Sequence, residues 1–285
     1  MTLDGTLTTI DGRPALRFER RYPQPIERVW RAVTDPTEMA TWFPSDVVGE
    51  RASGATLRFD DARQQAEADA AGGARRADGP EWTGRVIAFD PPTVFSFTWG
   101  SEVLRFELHA EGAGTRLVFT QVLSHRSVAA RNGAGWHGCL LALDQLLGEP
   151  VPDEDDARVY AEFVVAMGPE PGVAAPDGSR TWELGHHVGP ERVRDAVGDP
   201  EEVQAWAGSK PGGQGSERAD DVVHWDIRAA EDGTLIRATV AGAADDADLS
   251  ATWHALLVQL DLYLAAGMVL PVDAALFAPA YGGGQ

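Results

Sequence analysis

Three scarcities frame this sequence. Cysteine occurs once, as Cys139, so the chain cannot build an internal disulfide framework, and a reducing compartment is expected. Lysine also occurs once, as Lys210, and 24 basic residues face 44 acidic ones for a net charge of −20. A surface of that sign repels phosphate backbones and anionic headgroups, so neither nucleic acid nor a membrane is an expected partner. No apolar run approaches the roughly 20 residues of a spanning helix. The opening residues MTLDGTLTTIDGR lack the basic-then-apolar plan of a secretory leader, and the expectation is a cytoplasmic protein. Also missing are a Cys/His cluster, HExxH, a carboxylate-rich loop, a GxSxG elbow and a glycine-rich loop ahead of a helix. No metal and no cofactor are expected.

What is present is apolar substance and repetition. Hydrophobic residues make up 44% of 285, enough for two cores of ordinary size. In GWHGCLLALDQLLGE (135–149), Trp136, Leu140, Leu143 and Leu147 form one helical stripe. TWHALLVQLDLYLAAG (252–267) repeats it 117 positions later, matching Trp136, His137, Leu140, Leu143, Asp144 and Leu147 to Trp253, His254, Leu257, Leu260, Asp261 and Leu264. Upstream, PERVRDAVGDPEEVQAWA echoes IERVWRAVTDPTEMATWF at an offset of 164. The second copy is therefore 47 residues shorter, and the loss falls after Trp206.

Between these landmarks the spacing predicts a strand over 15–22 and a helix over 26–34. Asp35 and Pro36 then open a second short helix, PTEMATWF. Alternating strands are expected at 46–50, 55–60, 82–89, 93–100, 102–110 and 116–123, with turns at the spacing of an antiparallel meander. Residues 61–80 carry no apolar periodicity and read as an insertion, a candidate lid. The long helix runs from about Ser127 to Leu147, a further helix is expected over 153–167, and a linker over 168–179.

Strand, two short helices, a meander and one long helix is the order of the helix-grip fold. The residues Arg28-Val-Trp30-Arg-Ala32-Val33, Asp35-Pro36, Trp42-Phe43, Asp90-Pro91, Gly114-Thr115-Arg116-Leu117 and Gly135-Trp136 resemble the START/Bet v 1-like (SRPBCC) superfamily. Within it they are most similar to bacterial members of the Hsp90-ATPase-activator-homologue branch. The resemblance implies an α+β fold, a curved antiparallel sheet gripping the long helix, internally duplicated. Expected domains are a complete copy over 1–150, a short helix and linker over 151–179, and a truncated copy over 180–285. The resemblance further implies a cavity for a lipid- or polyketide-like ligand, in natural-product biosynthesis or antibiotic self-resistance. Its alternatives are a cyclase- or hydrolase-type enzyme and a chaperone-associated protein-binding module. The expected state is monomer or homodimer.

The candidate ligand-binding residues are Trp42, Phe43, Phe59, Trp82, Phe97, Trp99, Phe106, Phe119, Trp136 and Leu140, an inner sheet face that one helix covers only in part. Catalytic candidates are His137, His125 and Asp144. His137 reads either as a polar anchor or general base, or as a boundary histidine bonded to a sheet carbonyl. Its recurrence as His254 in a shortened copy, where no pocket is expected, argues for the structural role. His137 and Asp144 stand about 10.5 Å apart along the helix, too far for a direct bond. The adjacent His186 and His187 are expected on opposite faces of a strand, Cys139 is expected buried, and the acids of 153–156 are expected in solvent as a helix start.

Overall fold

The computed structural model describes residues 4–60, 82–207, 223–230, 233–267, 270 and 272–282. The expected lid, and the Trp82 side chain, lie outside the described residues. The chain forms two compact units: Met1–Ser124 with Asn132–Asp156, and His125–Arg131 with Ala157–Gln285.

The first unit opens with a hairpin. Strand β1 (Gly5–Ile10) pairs with β2 (Arg13–Tyr22), and the Asp11-Gly12 turn holds both residues at positive φ, 50° and 79°, as a two-residue hairpin requires. Strand β1 was not expected; the Asp-Gly dipeptide was the signal for it. Helix α1 (Ile26–Thr34) and the short α2 (Pro36–Met39) follow. Asp35 caps α2, accepting from the Thr37 and Glu38 amides at 2.9 and 3.1 Å. The helix expected through Phe43 stops at Met39. Packing decides this: the Trp42 indole donates to the Ala32 carbonyl at 2.9 Å, and Phe43 turns onto the sheet.

Six further strands are β3 (Asp46–Val48), β4 (Thr56–Asp60), β5 (Trp82–Asp90), β6 (Val94–Trp99), β7 (Glu102–Glu111) and β8 (Gly114–Val122). All eight form one antiparallel sheet in the order β1-β2-β8-β7-β6-β5-β4-β3. Its inner face presents Phe97, Phe106, Leu108, Leu117 and Phe119, all buried, and the stripe Trp136, Leu140, Leu143 and Leu147 of the long helix α3 (Ala129–Leu146) is buried as well. The fold is α+β and of the helix-grip type. A close approach tightens it: a Cβ on Gly84 would fall 1.8 Å from the Thr98 carbonyl oxygen and 2.9 Å from the Phe59 ring, so only glycine fits there.

In the second unit the elements are α4 (Asp156–Met167), β9 (Val173–Ala174), β10 (Arg180–His186), α5 (Pro190–Gly198), α6 (Pro200–Ala207), β11 (Val223–Ala230), β12 (Gly233–Val240) and α7 (Ala247–Ala266). The stretch expected as linker thus carries a strand. The four strands order as β11-β12-β10-β9. Three hydrogen-bonded contacts of the first unit recur in this one. Trp206 donates to the Ala196 carbonyl at 2.8 Å as Trp42 does to Ala32. Arg192 reaches Glu202 at 2.7 Å as Arg28 reaches Glu38 at 2.6 Å. The Thr234 hydroxyl donates to the Val188 carbonyl at 2.6 Å as Thr115 does to Gln24 at 2.8 Å. Register matches too: Leu16 opposite Gln121 opposite Leu104 in the first sheet becomes Arg180 opposite Val240 opposite Val223 in the second. Among the described residues, the second sheet has no counterpart of β3 to β6.

Candidate apolar ligand site

The first unit's inner face is an aromatic cluster laid down by strand alternation, since residues two apart share a face. Phe97 and Trp99 come from β6, Phe106 from β7, Phe119 from β8, Phe59 from β4, and Trp42 and Phe43 from the turn after α2. Phe43 lies at the centre, its ring centroid 5.5 Å from both Trp99 and Trp136 and 6.1 Å from Phe97. Phe59 stacks on Phe97 at 5.9 Å and meets Trp99 at 5.7 Å. Phe119 approaches Trp136 to 4.5 Å and Phe106 to 4.8 Å, and Trp42 meets Phe106 edge-on at 5.9 Å. These separations are those of favourable offset and edge contacts. Every described member is buried, Leu140 included, except Trp99, which is half-buried.

Trp99 stands at the tip of the β6–β7 hairpin, opposite Glu102. Gly100, at φ 59°, makes the turn. That tip also carries a polar relay the sequence did not reveal. The Trp136 indole donates to Gln121 Oε1 at 2.7 Å, and Gln121 Nε2 donates to Glu102 Oε2 at 2.5 Å. The Ser124 amide and hydroxyl donate to the other Glu102 oxygen at 3.2 and 3.1 Å, and Asn132 reaches Oε2 at 3.5 Å. Gln121 is buried in the same row of β8 as Leu117 and Phe119. A polar residue at an inward position of an alternating strand was the available signal.

The catalytic candidates take separate partners. His137 Nε2 lies 2.8 Å from Glu154 Oε2, and the two side chains are only 5% and 6% exposed. This corrects two expectations: the histidine meets a carboxylate rather than a sheet carbonyl, and Glu154 is buried rather than solvated, because α4 begins two residues later and the extended segment before it returns to the long helix. Asp144 accepts from the Tyr22 hydroxyl at 2.7 Å and from Arg20 Nε at 3.3 Å. Burial and the Asp144 carboxylate hold the Tyr22 phenol far above its usual range. His125 belongs to the second unit, where it caps the turn Arg126–Val128 by accepting from the Ser127 amide at 3.2 Å. Cys139 is half-buried.

In the second unit His186 and His187 do not diverge: their rings stack at 4.4 Å. The strand ends at His186, so alternation no longer separates them. This unit also holds a hollow of about 210 Å³, lined by Arg126, Val164, Glu170, His254 and Phe277 among others, where the sequence led us to expect none. Burial lowers the His254 pKa to about 4, and its ring lies 4.0 Å from Phe277, with Nδ1 2.9 Å from the Tyr281 hydroxyl. Among the described residues there is no group of acids, histidines or cysteines placed to hold a metal ion, and no helix long and apolar enough to cross a membrane.

A curved antiparallel sheet closed by one long helix, with an aromatic inner face and a polar relay at one rim, defines the first unit as a helix-grip domain. Residues 23–148 match the model of the family described as Activator of Hsp90 ATPase homolog 1-like protein. Similar solved structures include CalU16 from Micromonospora echinospora, at 20% identity over 57% of this chain and 92% of that one, with a TM-score of 0.42. The BPP1335 protein of Bordetella parapertussis is 28% identical over 56% of this chain and 89% of its own, with a TM-score of 0.41. No curated protein sequence matches the chain.

Proposed function

We propose that the first unit binds an apolar, aromatic small molecule of lipid- or polyketide-like skeleton, in natural-product biosynthesis or self-resistance, and that the second unit is a shortened copy of the same domain. The single observation that carries the binding role is the half-buried Trp99, tilted against Phe43 and Phe59 at 5.5 and 5.7 Å. It offers a flat apolar surface beside the Glu102–Gln121 relay, which supplies the few polar groups that orient a ligand in such sites. Phe97, Phe106, Phe119, Trp42, Trp136 and Leu140 back that surface.

Titration of the full chain with 8-anilinonaphthalene-1-sulfonate, followed by probe emission and tryptophan quenching, tests this reading. Saturable binding, weakened roughly tenfold by Trp99→Ala, is the expected result. Absence of saturable binding, or equal binding by the variant, overturns it. A second reading, acid–base catalysis of the cyclase type, rests on the buried His137–Glu154 pair at 2.8 Å. A folded His137→Gln variant that binds the probe unchanged but loses turnover of a polyketide substrate would favour that reading.

A further inference from the structure

Among the described residues, the second sheet ends where the first continues. Registers place β11 at the position of β7: Ala230 opposite Gly233 repeats Glu111 opposite Gly114, and Val223 opposite Val240 repeats Leu104 opposite Gln121. In the first unit the outer edge of β7 is paired along Val94–Trp99 by β6. In the second, no described strand lies beyond β11. Among the described residues this leaves an edge of eight residues unpaired, a row of main-chain donors and acceptors for any strand that fits.

The side chains of β11 identify what fits. Val223, Trp225 and Ile227 pack on the second unit's core, while His224, Asp226 and Arg228 alternate with them on the other face. Asp226 and Arg228 join along their own strand at 2.6 Å. Two copies of this strand, run antiparallel about a two-fold axis through Ile227, place Asp226 of each opposite Arg228 of the other. Ile227 then faces Ile227, and the apolar face continues across the junction. Centring the axis on Asp226 or Arg228 instead sets like charges opposite each other, which destabilises a strand pair.

We infer that the chain self-associates through the β11 edge, a second copy supplying a strand beyond the last described one. Two four-stranded sheets become one of eight strands, the number the first unit builds alone. Such a two-fold contact is self-complementary and closes at a dimer.

Charge exchange tests the pairing, read as molar mass of the full chain by sedimentation between about 1 and 100 µM, the concentration span that separates weak from firm association. Wild type is expected to sediment as a dimer. Asp226→Arg and Arg228→Asp, each alone, set like charges opposite each other twice and are expected to weaken association at least roughly tenfold. Mixed in equal amounts, the two single variants complement at both positions and are expected to recover the dimer, a result that a local folding defect cannot produce. A monomeric wild type, a dimer indifferent to the single exchanges, or a mixture that stays monomeric overturns the inference.

Discussion

The two units answer the same sequence plan with different amounts of sheet. Eight strands in the first surround a helix stripe with aromatic rings from four strands and a turn; four strands in the second leave Trp182, Trp206, Trp225 and Trp253 to fill a smaller core. What both retain is the frame: the tryptophan anchored on the carbonyl of the preceding helix, the arginine–glutamate pair, the threonine tie and the strand registers. What differs is the surroundings of the matched histidines. His137 meets a buried carboxylate, whereas His254 lies between Phe277 and Tyr281. A shared set of contacts therefore does not transmit a side chain's chemistry, which the neighbours set.

The sharpest way to break this comparison is at the shared anchors. Trp42→Ala and Trp206→Ala each remove a buried indole and should cost about 3–5 kcal/mol in denaturant unfolding. A Trp206→Ala variant that loses less than about 1 kcal/mol would end the equivalence of the two frames. Gly84→Ala, which has no counterpart in the short sheet, should cost about 3 kcal/mol by forcing β5 from β6.

His254 gives the second unit a pH dependence. His254 titrates near 6.5 when unfolded and near 4 when folded, so on acidification the unfolded chain takes up its proton first. Its contribution is complete above about pH 6.5 and is lost on descending to about 4, some 3 kcal/mol in all. Melting temperatures across that window should fall less steeply for His254→Phe than for wild type; parallel slopes would remove the histidine from the account. A smaller effect, about 1–3 kcal/mol, is expected from Gln121→Leu, which strands the buried Trp136 indole N–H, with tryptophan emission as the local readout. Smallest is the surface pair: double-mutant cycles on Arg28–Glu38 and Arg192–Glu202 should each return less than about 1 kcal/mol. Unequal values there would show where the copies have drifted apart.

Much of the frame was legible because periodicity reports burial directly. The alternating Phe95, Phe97 and Trp99, the stripe from Trp136 to Leu147, and Asp35-Pro36 each name their element without reference to anything distant. The aromatic set was legible for the same reason. Glu154 was not, because an acid among acids looks solvated until the chain is seen to fold back and give it a histidine. Gln121 bore a faint signal, yet its bond to Glu102 joins strands β8 and β7 across 19 residues. The tail was equally opaque: nothing in a mildly apolar, glycine-ended stretch says that Phe277 and Tyr281 pack on His254.

By itself, then, the order of residues determined which segments are strand or helix, which faces are apolar, and which segments of the chain resemble each other. These follow from local spacing and from comparing the chain with itself. Only the tertiary structure decided which charges are neutralised, and which histidine meets an acid and which a phenol. Those outcomes depend on groups far apart in the chain meeting where water is excluded, so that partner and burial, more than residue type, set what each group can do.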